Sequence, residues 1–269
     1  MLVGHRPMSR RSLPPCRCLG TLKSVFGFGD VQIDVETEMN QTLGVIGSGN
    51  IGGAVARLAV EAGIEVVLSN SRGPETLRGL VSRLGPLARA ATPAEAAAAG
   101  DWTVVAVPFR AVPHLPVDAL AGKVVIDTNN YYPPRDGAFA SLLAGGLTDG
   151  ELFGQYLPGA RTVKTFNTIF FEHLLSLSRA STAPDRSALP VAGDDDLAKK
   201  SVSTLLDRLG FDAVDVGEMA ESWRIQDGSP AYILPYLTIP NLRLPWWRDP
   251  GKQAGSSEIR AALESARRA

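Results

Sequence analysis

The run Gly47-Ser48-Gly49-Asn50-Ile51-Gly52 constrains this chain more than any other, because it follows the apolar stretch Leu43-Gly44-Val45-Ile46 and opens an alanine-rich, helix-like segment. A G-x-G-x-x-G string is weak by itself. Between a strand and a helix it marks the turn that receives the pyrophosphate of a dinucleotide. Gly47 permits the tight turn, Gly49 lets a phosphate approach the backbone, and Gly52 lets helix and strand pack closely. The free N–H groups at the helix start are suited to phosphate oxygens.

Which dinucleotide fits depends on the end of the second strand, where an acid would take the ribose 2′-hydroxyl of NAD. This strand ends Leu68-Ser69-Asn70-Ser71-Arg72-Gly73, without a carboxylate, and Glu65 lies at the opposite end of the strand. Serine hydroxyls and a guanidinium can hydrogen-bond a 2′-phosphate that an acid would repel. Ser69, Asn70, Ser71 and Arg72 therefore favour NADP over NAD; the other reading is an ordinary polar turn with a solvated arginine.

The rest of the chain alternates apolar runs with helical stretches, the pattern of a parallel sheet covered on both faces. Strands are expected at 42–47, 65–70, 87–91, 103–108, 124–128, 162–166, 189–193 and 213–216, with helices near 51–62, 74–84, 93–99, 170–178 and 197–209. The expected fold is α/β, a Rossmann-like doubly wound, mainly parallel sheet over 41–217 with a C-terminal strand and helix extension. Residues 218–269 read as an aromatic and proline-rich loop and a terminal helix, with 218–250 an ordered loop packed over the sheet or at a subunit contact. A terminal helix over 256–268 follows, with a serine cap.

Two strand exits supply further candidates, since open α/β sheets bind ligands at their carboxyl edge. Ala106, Val107 and Pro108, with Phe109 behind them, offer small and apolar groups to a flat nicotinamide; packing alone is the alternative for Pro108 and Phe109. Asn129 and Asn130 are either polar contacts to a ligand or side chains bonded to the local turn before Pro133.

Composition excludes several classes. The 269 residues are 45% hydrophobic and 20% charged, which argues against a disordered, collagen-like or coiled-coil chain. A net charge of -1 gives no basic footprint for nucleic acid. No apolar run approaches the roughly 18 residues of a membrane helix, so a cytoplasmic protein is expected. Cys16 and Cys18 are too few for a disulfide framework or a four-ligand zinc site, and no metal site is expected. Residues 1–40 carry Arg6, Arg10, Arg11, Arg17 and Lys23 before the first acid, Asp30. They read as a disordered leader, either a transit peptide or a segment upstream of a start at Met39.

Acid–base chemistry finds little support. His5, His114 and His173 sit in no obvious triad, and Lys164 with Asn167 could form a catalytic pair, although Lys164 lies within a strand where it can simply pack or pair. Hydride transfer between two stacked rings depends mainly on orientation, so no catalytic side chain is expected.

The segments GVIGSGNIGGAVARLAVEAGIEVVLSNSRGPETL, VVAVPFRAV, VVIDTNNYYPPRDG, PGARTVKTFNTI and LPVAGDD, with ESW and a later PAY, together resemble the NADPH-dependent coenzyme F420 reductase family over about residues 42–235. The resemblance implies a homodimeric Rossmann enzyme that passes hydride between NADP(H) and the 5-deazaflavin coenzyme F420. It implies that Ser48, Asn50 and Ile51 join the phosphate turn, that Ser71 and Arg72 hold the 2′-phosphate, and that Ala106, Val107 and Pro108 border the nicotinamide. Reduction of a flavin, quinone or metal ion, or NADP binding without catalysis, are the competing readings.

Overall fold

Each apolar run expected as a strand forms one in the computed structural model, which describes residues 41–243 and 245–268. The readings on residues 1–40, including His5, Cys16, Cys18 and Met39, fall outside the described residues. The strands are β1 Thr42–Ile46, β2 Glu65–Ser69, β3 Ala88–Ala90, β4 Trp102–Val105, β5 Val124–Asp127, β6 Arg161–Lys164, β7 Ala188–Ala192 and β8 Asp212–Gly217. They form one sheet in the order β3-β2-β1-β4-β5-β6-β7-β8.

Strands β1 to β6 are mutually parallel, whereas β7 pairs antiparallel with β6 through Lys164 and Ala192, and β8 runs parallel to β7. The chain order steps outward from β1 in both directions, so the carboxyl ends of β1 and β4 flank the switch point at which such sheets bind ligands.

Both faces are covered, which is why the strands read as continuous apolar runs. Successive residues of a strand point to opposite faces. Val104 and Ile126 join Val55 and Leu58 of helix Asn50–Glu61 in the larger core cluster, while their neighbours Val105 and Val125 join Phe109 and Phe153 in a second cluster on the other face. At about 1.5–3 kcal/mol for each fully buried large side chain, these two layers set the fold.

Local signals place several helix ends. Thr92 and Glu95 form a reciprocal capping box before Pro93–Ala99, with Glu95 N donating to Thr92 Oγ1 and Thr92 N donating to Glu95 Oε2. The stretch expected as one helix over 74–84 divides into a 3-10 turn, Pro74–Leu77, and a helix, Arg78–Leu84. A helix that the pattern did not reveal, Asp149–Tyr156, lies between β5 and β6 behind a second capping box of Thr148 and Glu151.

The terminal helix spans Ser256–Ser265, and its cap is Gly255 with no side-chain hydrogen bond, so the expected serine cap is corrected. Ser256 already has helical geometry, and Arg267 lies beyond the helix, where its Nη1 donates to the carbonyls of Glu264 and Ala266. The aromatic segment before it is ordered and packs on the sheet. Tyr236 is fully buried and donates its hydroxyl proton to the carbonyl of Ala188 on β7 at 2.7 Å.

Candidate functional site

The carboxyl ends of the parallel strands open into a cleft of about 460 Å³ whose lining runs from Asn50 and Ile51 past Ala106 and Asn129 to Tyr232 and Trp246. The glycine turn forms one end of it. Gly47 has φ +101°, and a Cβ there would lie 2.2 Å from the Ala106 carbonyl oxygen. A Cβ on Gly52 would lie 1.9 Å from the Gly47 carbonyl oxygen, so helix Asn50–Glu61 can approach β1 only as glycine. Gly49 has no atom within 4 Å of a Cβ position, which leaves open space in front of the helix N-terminus. Unpaired amides and the positive end of the helix dipole face that space.

At the end of β2 the structure separates the four candidates. Ser69 is fully buried and its hydroxyl donates to the Val45 carbonyl at 3.0 Å, so this side chain serves the sheet and is not offered to a 2′-phosphate. As the last residue of β2 it still follows the strand alternation and points inward. Asn70 spends its amide on the turn, donating from Nδ2 to Thr76 Oγ1 and accepting at Oδ1 from the Arg72 amide. Ser71 and Arg72 are exposed on the loop that Asn70 holds.

The exits of β4 and β5 form the floor. Val107 N donates to Asn129 Oδ1 at 3.2 Å, which fixes the orientation of that amide and leaves the buried Asn129 Nδ2 without a partner. Asn130 Nδ2 donates to the Asn167 carbonyl, while Asn167 Nδ2 donates to Asn130 Oδ1 and to the Ile225 carbonyl, leaving the buried Asn167 Oδ1 unpartnered. The turn before Pro133 is bonded by Asp136, whose Oδ2 accepts from Tyr132 N, and not by either asparagine. Pro108 lines the cleft, whereas Phe109 is buried and packs edge-on against Tyr131 and Phe139.

Below the floor lies a buried ionic cluster. Lys164 Nζ is 2.9 Å from Asp127 Oδ2, 3.2 Å from Asp149 Oδ1 and 2.5 Å from the carbonyl oxygen of Asn129. Burial opposes the charge on Lys164, but Asp127 and Asp149 outweigh it and hold its pKa above the usual lysine value. Burial pushes the Asp127 carboxyl up, against the attraction of Lys164 and with the repulsion of Asp149. Of the suggested Lys164–Asn167 pair only Asn167 reaches the cleft. His114 is exposed at the end of the 3-10 turn Phe109–His114, and His173 is buried with Nε2 2.7 Å from the Asp249 carbonyl; neither lines the cleft.

The far wall escaped the sequence reading. Phe170, Phe171 and Trp246 supply an aromatic side, and Tyr132 meets Tyr232 hydroxyl to hydroxyl at 2.5 Å across 100 residues of sequence. Arg135 sits over the Tyr132 ring, 4.7 Å from its centroid. The only hints in the sequence are the strings NYYPPR and PAY, whose meeting no local pattern encodes. Among the described residues no cluster of three or more His, Cys, Asp or Glu side chains is placed to hold a metal, and no helix is long and apolar enough to cross a membrane.

Residues 42–131 match the family model for NADP oxidoreductases that are coenzyme F420-dependent. The chain is 28% identical to the rat metalloreductase STEAP3 over 203 residues, 74% of this chain and 38% of that protein. It spans about two fifths of the length of the curated relatives it matches. Among solved structures, a hypothetical protein, SMa0349, of Sinorhizobium meliloti is 30% identical with a TM-score of 0.60, covering 71% of this chain and 91% of its own. A candidate F420-dependent NADP reductase from Arthrobacter sp. FB24 is 26% identical with a TM-score of 0.56, covering 68% of this chain and 87% of its own.

Proposed function

We propose that this chain, which belongs to the family of coenzyme F420-dependent NADP oxidoreductases, is an NADP-dependent oxidoreductase that passes a hydride directly between the nicotinamide of NADPH and the deazaflavin ring of coenzyme F420. The observation that carries this reading is the continuity of the cleft. The cleft runs from Asn50 and Ile51, beside the open space at Gly49, past Ala106 and Pro108 to a wall of Phe170, Phe171 and Trp246. Its volume lies within the range of about 300–1,000 Å³ in which small-molecule and cofactor sites fall.

The residues present fit both groups. The gap at Gly49 and the amides opening helix Asn50–Glu61 suit a pyrophosphate, and Ser71 with Arg72 suits a 2′-phosphate. Asn129 Nδ2 is a buried donor without a protein acceptor, and Asn167 Oδ1 a buried acceptor without a donor. A buried polar atom left unpaired is costly, and both residues line the cleft, so a small side-chain rotation that brings either atom to a ligand's amide or imide edge would satisfy it.

When bound, NADPH supplies the hydride and the second ring receives it. The protein's part is to hold the rings and exclude water: Ala106 and Pro108 present a small apolar edge, and the aromatic wall offers flat surface on the other side. The similarity to the rat metalloreductase favours a second reading, in which the same cleft passes hydride to another acceptor such as a flavin, a quinone or a metal ion.

Anaerobic mixing of the purified protein with NADPH and oxidised coenzyme F420, with FMN and menadione as parallel acceptors, tests both readings. Rapid bleaching of the deazaflavin alone is the expected result. Oxidation of NADPH by FMN or menadione alone moves the activity to the second reading, and NADPH binding without turnover of any of the three overturns hydride transfer to a ring acceptor.

A further inference from the structure

We propose that Tyr232 is a catalytic residue of this cleft, donating a proton to the ring that accepts the hydride, with Tyr132 relaying the replacement proton. The inference rests on the hydride-transfer reading above. Reduction of a deazaflavin, flavin or quinone ring consumes one proton for each hydride, and the sequence offered no group to supply it.

The geometry brings two phenols together in the lining of the cleft. Tyr132 and Tyr232 both line the cleft, one just beyond β5 and the other on the C-terminal segment, and their hydroxyls share a 2.5 Å hydrogen bond. A bond made only to pin the tail to the sheet would not have to lie in the cleft lining. Tyr236, four residues on, shows the alternative, since its hydroxyl is buried against the Ala188 carbonyl and outside the cleft.

The backbone next to Tyr232 is strained. Ile233 has φ +59° and ψ −42°, and the Leu234 amide donates to the Tyr232 carbonyl at 2.6 Å, so Ile233 stands at the centre of a γ-turn of positive φ. That turn is rare and strained, and a β-branched residue is an outlier there. Two contacts hold it: the Ile233 amide donates to the Thr168 carbonyl at 2.9 Å, and the Tyr232 amide donates to the Ser229 carbonyl at 3.0 Å. Strain of this kind gathers at functional sites. Its effect here is to set Tyr232 into the lining.

The charges around the pair keep the proton on. Burial raises the Tyr232 hydroxyl far above the usual tyrosine value, and its bond to Tyr132 and the carboxylate of Asp227 add to this, with Arg135 opposing. Burial likewise raises Tyr132, helped by Asp227 and Asp149 and opposed by the bond to Tyr232 and by Arg135. Both phenols are thus protonated at neutral pH. In the step, Tyr232 gives its hydroxyl proton to the ring nitrogen or oxygen of the acceptor as the hydride, with its electron pair, leaves nicotinamide C4 for a ring carbon. Tyr132 then returns a proton to Tyr232 and regains one from water. The sum is NADPH plus acceptor plus one proton, giving NADP⁺ and the dihydro acceptor.

Tyr232→Phe and Tyr132→Phe, tested in the full-length protein, decide the matter. With whichever of coenzyme F420, FMN or menadione the wild type reduces, kcat of Tyr232→Phe is expected to fall about 100-fold or more, the usual span of one general acid. The fall in Tyr132→Phe is smaller, NADPH affinity is unchanged in both, and the solvent deuterium isotope effect of the wild type changes in the Tyr232→Phe protein. A second readout needs no turnover: in protein labelled with ¹³C-tyrosine and saturated with NADP⁺, the Tyr232 resonance, identified by its loss in Tyr232→Phe, shifts when the oxidised acceptor is added. Wild-type kcat and an unchanged isotope effect in Tyr232→Phe, or a Tyr232 resonance blind to the acceptor, overturn the proton role while leaving hydride transfer intact. Failure of all three acceptors to oxidise NADPH overturns the underlying reading, and the proton role falls with it.

Discussion

Lys164 Nζ on β6 lies 2.9 Å from Asp127 Oδ2 on β5, with both side chains fully buried. The same ammonium reaches Asp149 and the Asn129 carbonyl, so one charge ties two strands and the helix Asp149–Tyr156 to the floor of the cleft.

Removing that charge strands two carboxylates in the interior. Lys164→Met is expected to cost about 3–5 kcal/mol of stability, the range for breaking a buried pair from one side, read as a fall in thermal midpoint. The loss depends on pH. Burial already raises the Asp127 pKa, and without Lys164 it rises further, so the folded variant holds a proton that the unfolded chain has released. Stability of the variant therefore falls as pH rises above the usual carboxylate range. The gap to wild type should be wider at pH 8 than at pH 5; an equal gap at both would mean that the variant's Asp127 takes up no extra proton on folding.

The glycine turn yields a contrast between neighbours. Gly52→Ala forces a Cβ to 1.9 Å from the Gly47 carbonyl oxygen and should lower the thermal midpoint, whereas Gly49→Ala meets nothing within 4 Å and should leave it unchanged. Gly49→Ala should nevertheless weaken NADPH binding, because the methyl group occupies the space kept for phosphate. Fluorescence titration with NADPH, set beside thermal melts, separates the two effects.

Arg72 is exposed on a loop that the Asn70 side chain holds by accepting from its amide. If it grips the 2′-phosphate, Arg72→Ala should weaken NADPH binding about 10- to 100-fold, the equivalent of one charged hydrogen bond of about 1.5–3 kcal/mol, and leave NADH binding nearly unchanged. Equal loss for both nucleotides would remove Arg72 from the phosphate site.

Much of this was legible in the sequence, for a physical reason. Strands covered on both faces are continuous apolar runs, so all eight are legible, seven of them to within two residues at each end while β4 stops three residues short of 108, although the reversed direction of β7 leaves no mark on composition. Ser69 differs from its expected role because a serine at the carboxyl end of a strand suits a ligand contact as well as it suits the sheet, and the Val45 carbonyl that takes its hydroxyl is brought there only by the pairing of β1 and β2. The helix at 149–156 did carry a signal, the spacing of Thr148 and Glu151, which lay in a stretch too polar to suggest an element. The meeting of Tyr132 and Tyr232 had none, since it arises from the path of the chain around the sheet.

Asp249 clamps the base of the loop that carries Trp246 and Trp247, accepting from the amides of Thr238 and Gly251 and from the Thr238 hydroxyl. Partial burial pushes its pKa up, but these hydrogen bonds outweigh it and bring the value down from 3.8 to about 2. A carboxyl depressed on folding lends stability above its unfolded value and loses it as pH falls through its folded one. Between about pH 4 and pH 2 the clamp should release, seen as a step in tryptophan fluorescence that Asp249→Asn lacks. A step of equal size in the variant would locate the transition elsewhere.

The sheet reversal at β7 has a consequence for synthesis on the ribosome. The phosphate turn and the floor of the cleft are complete once β6 has been made, but the wall bearing Tyr232 and Trp246 emerges only after the chain has turned back through β7 and β8. Because a domain generally folds as a unit, a nascent chain that holds only the first six strands lacks the wall that closes the cleft. On the proposed reading, a hydride would have nowhere to go until the last quarter of the chain had folded back over the sheet.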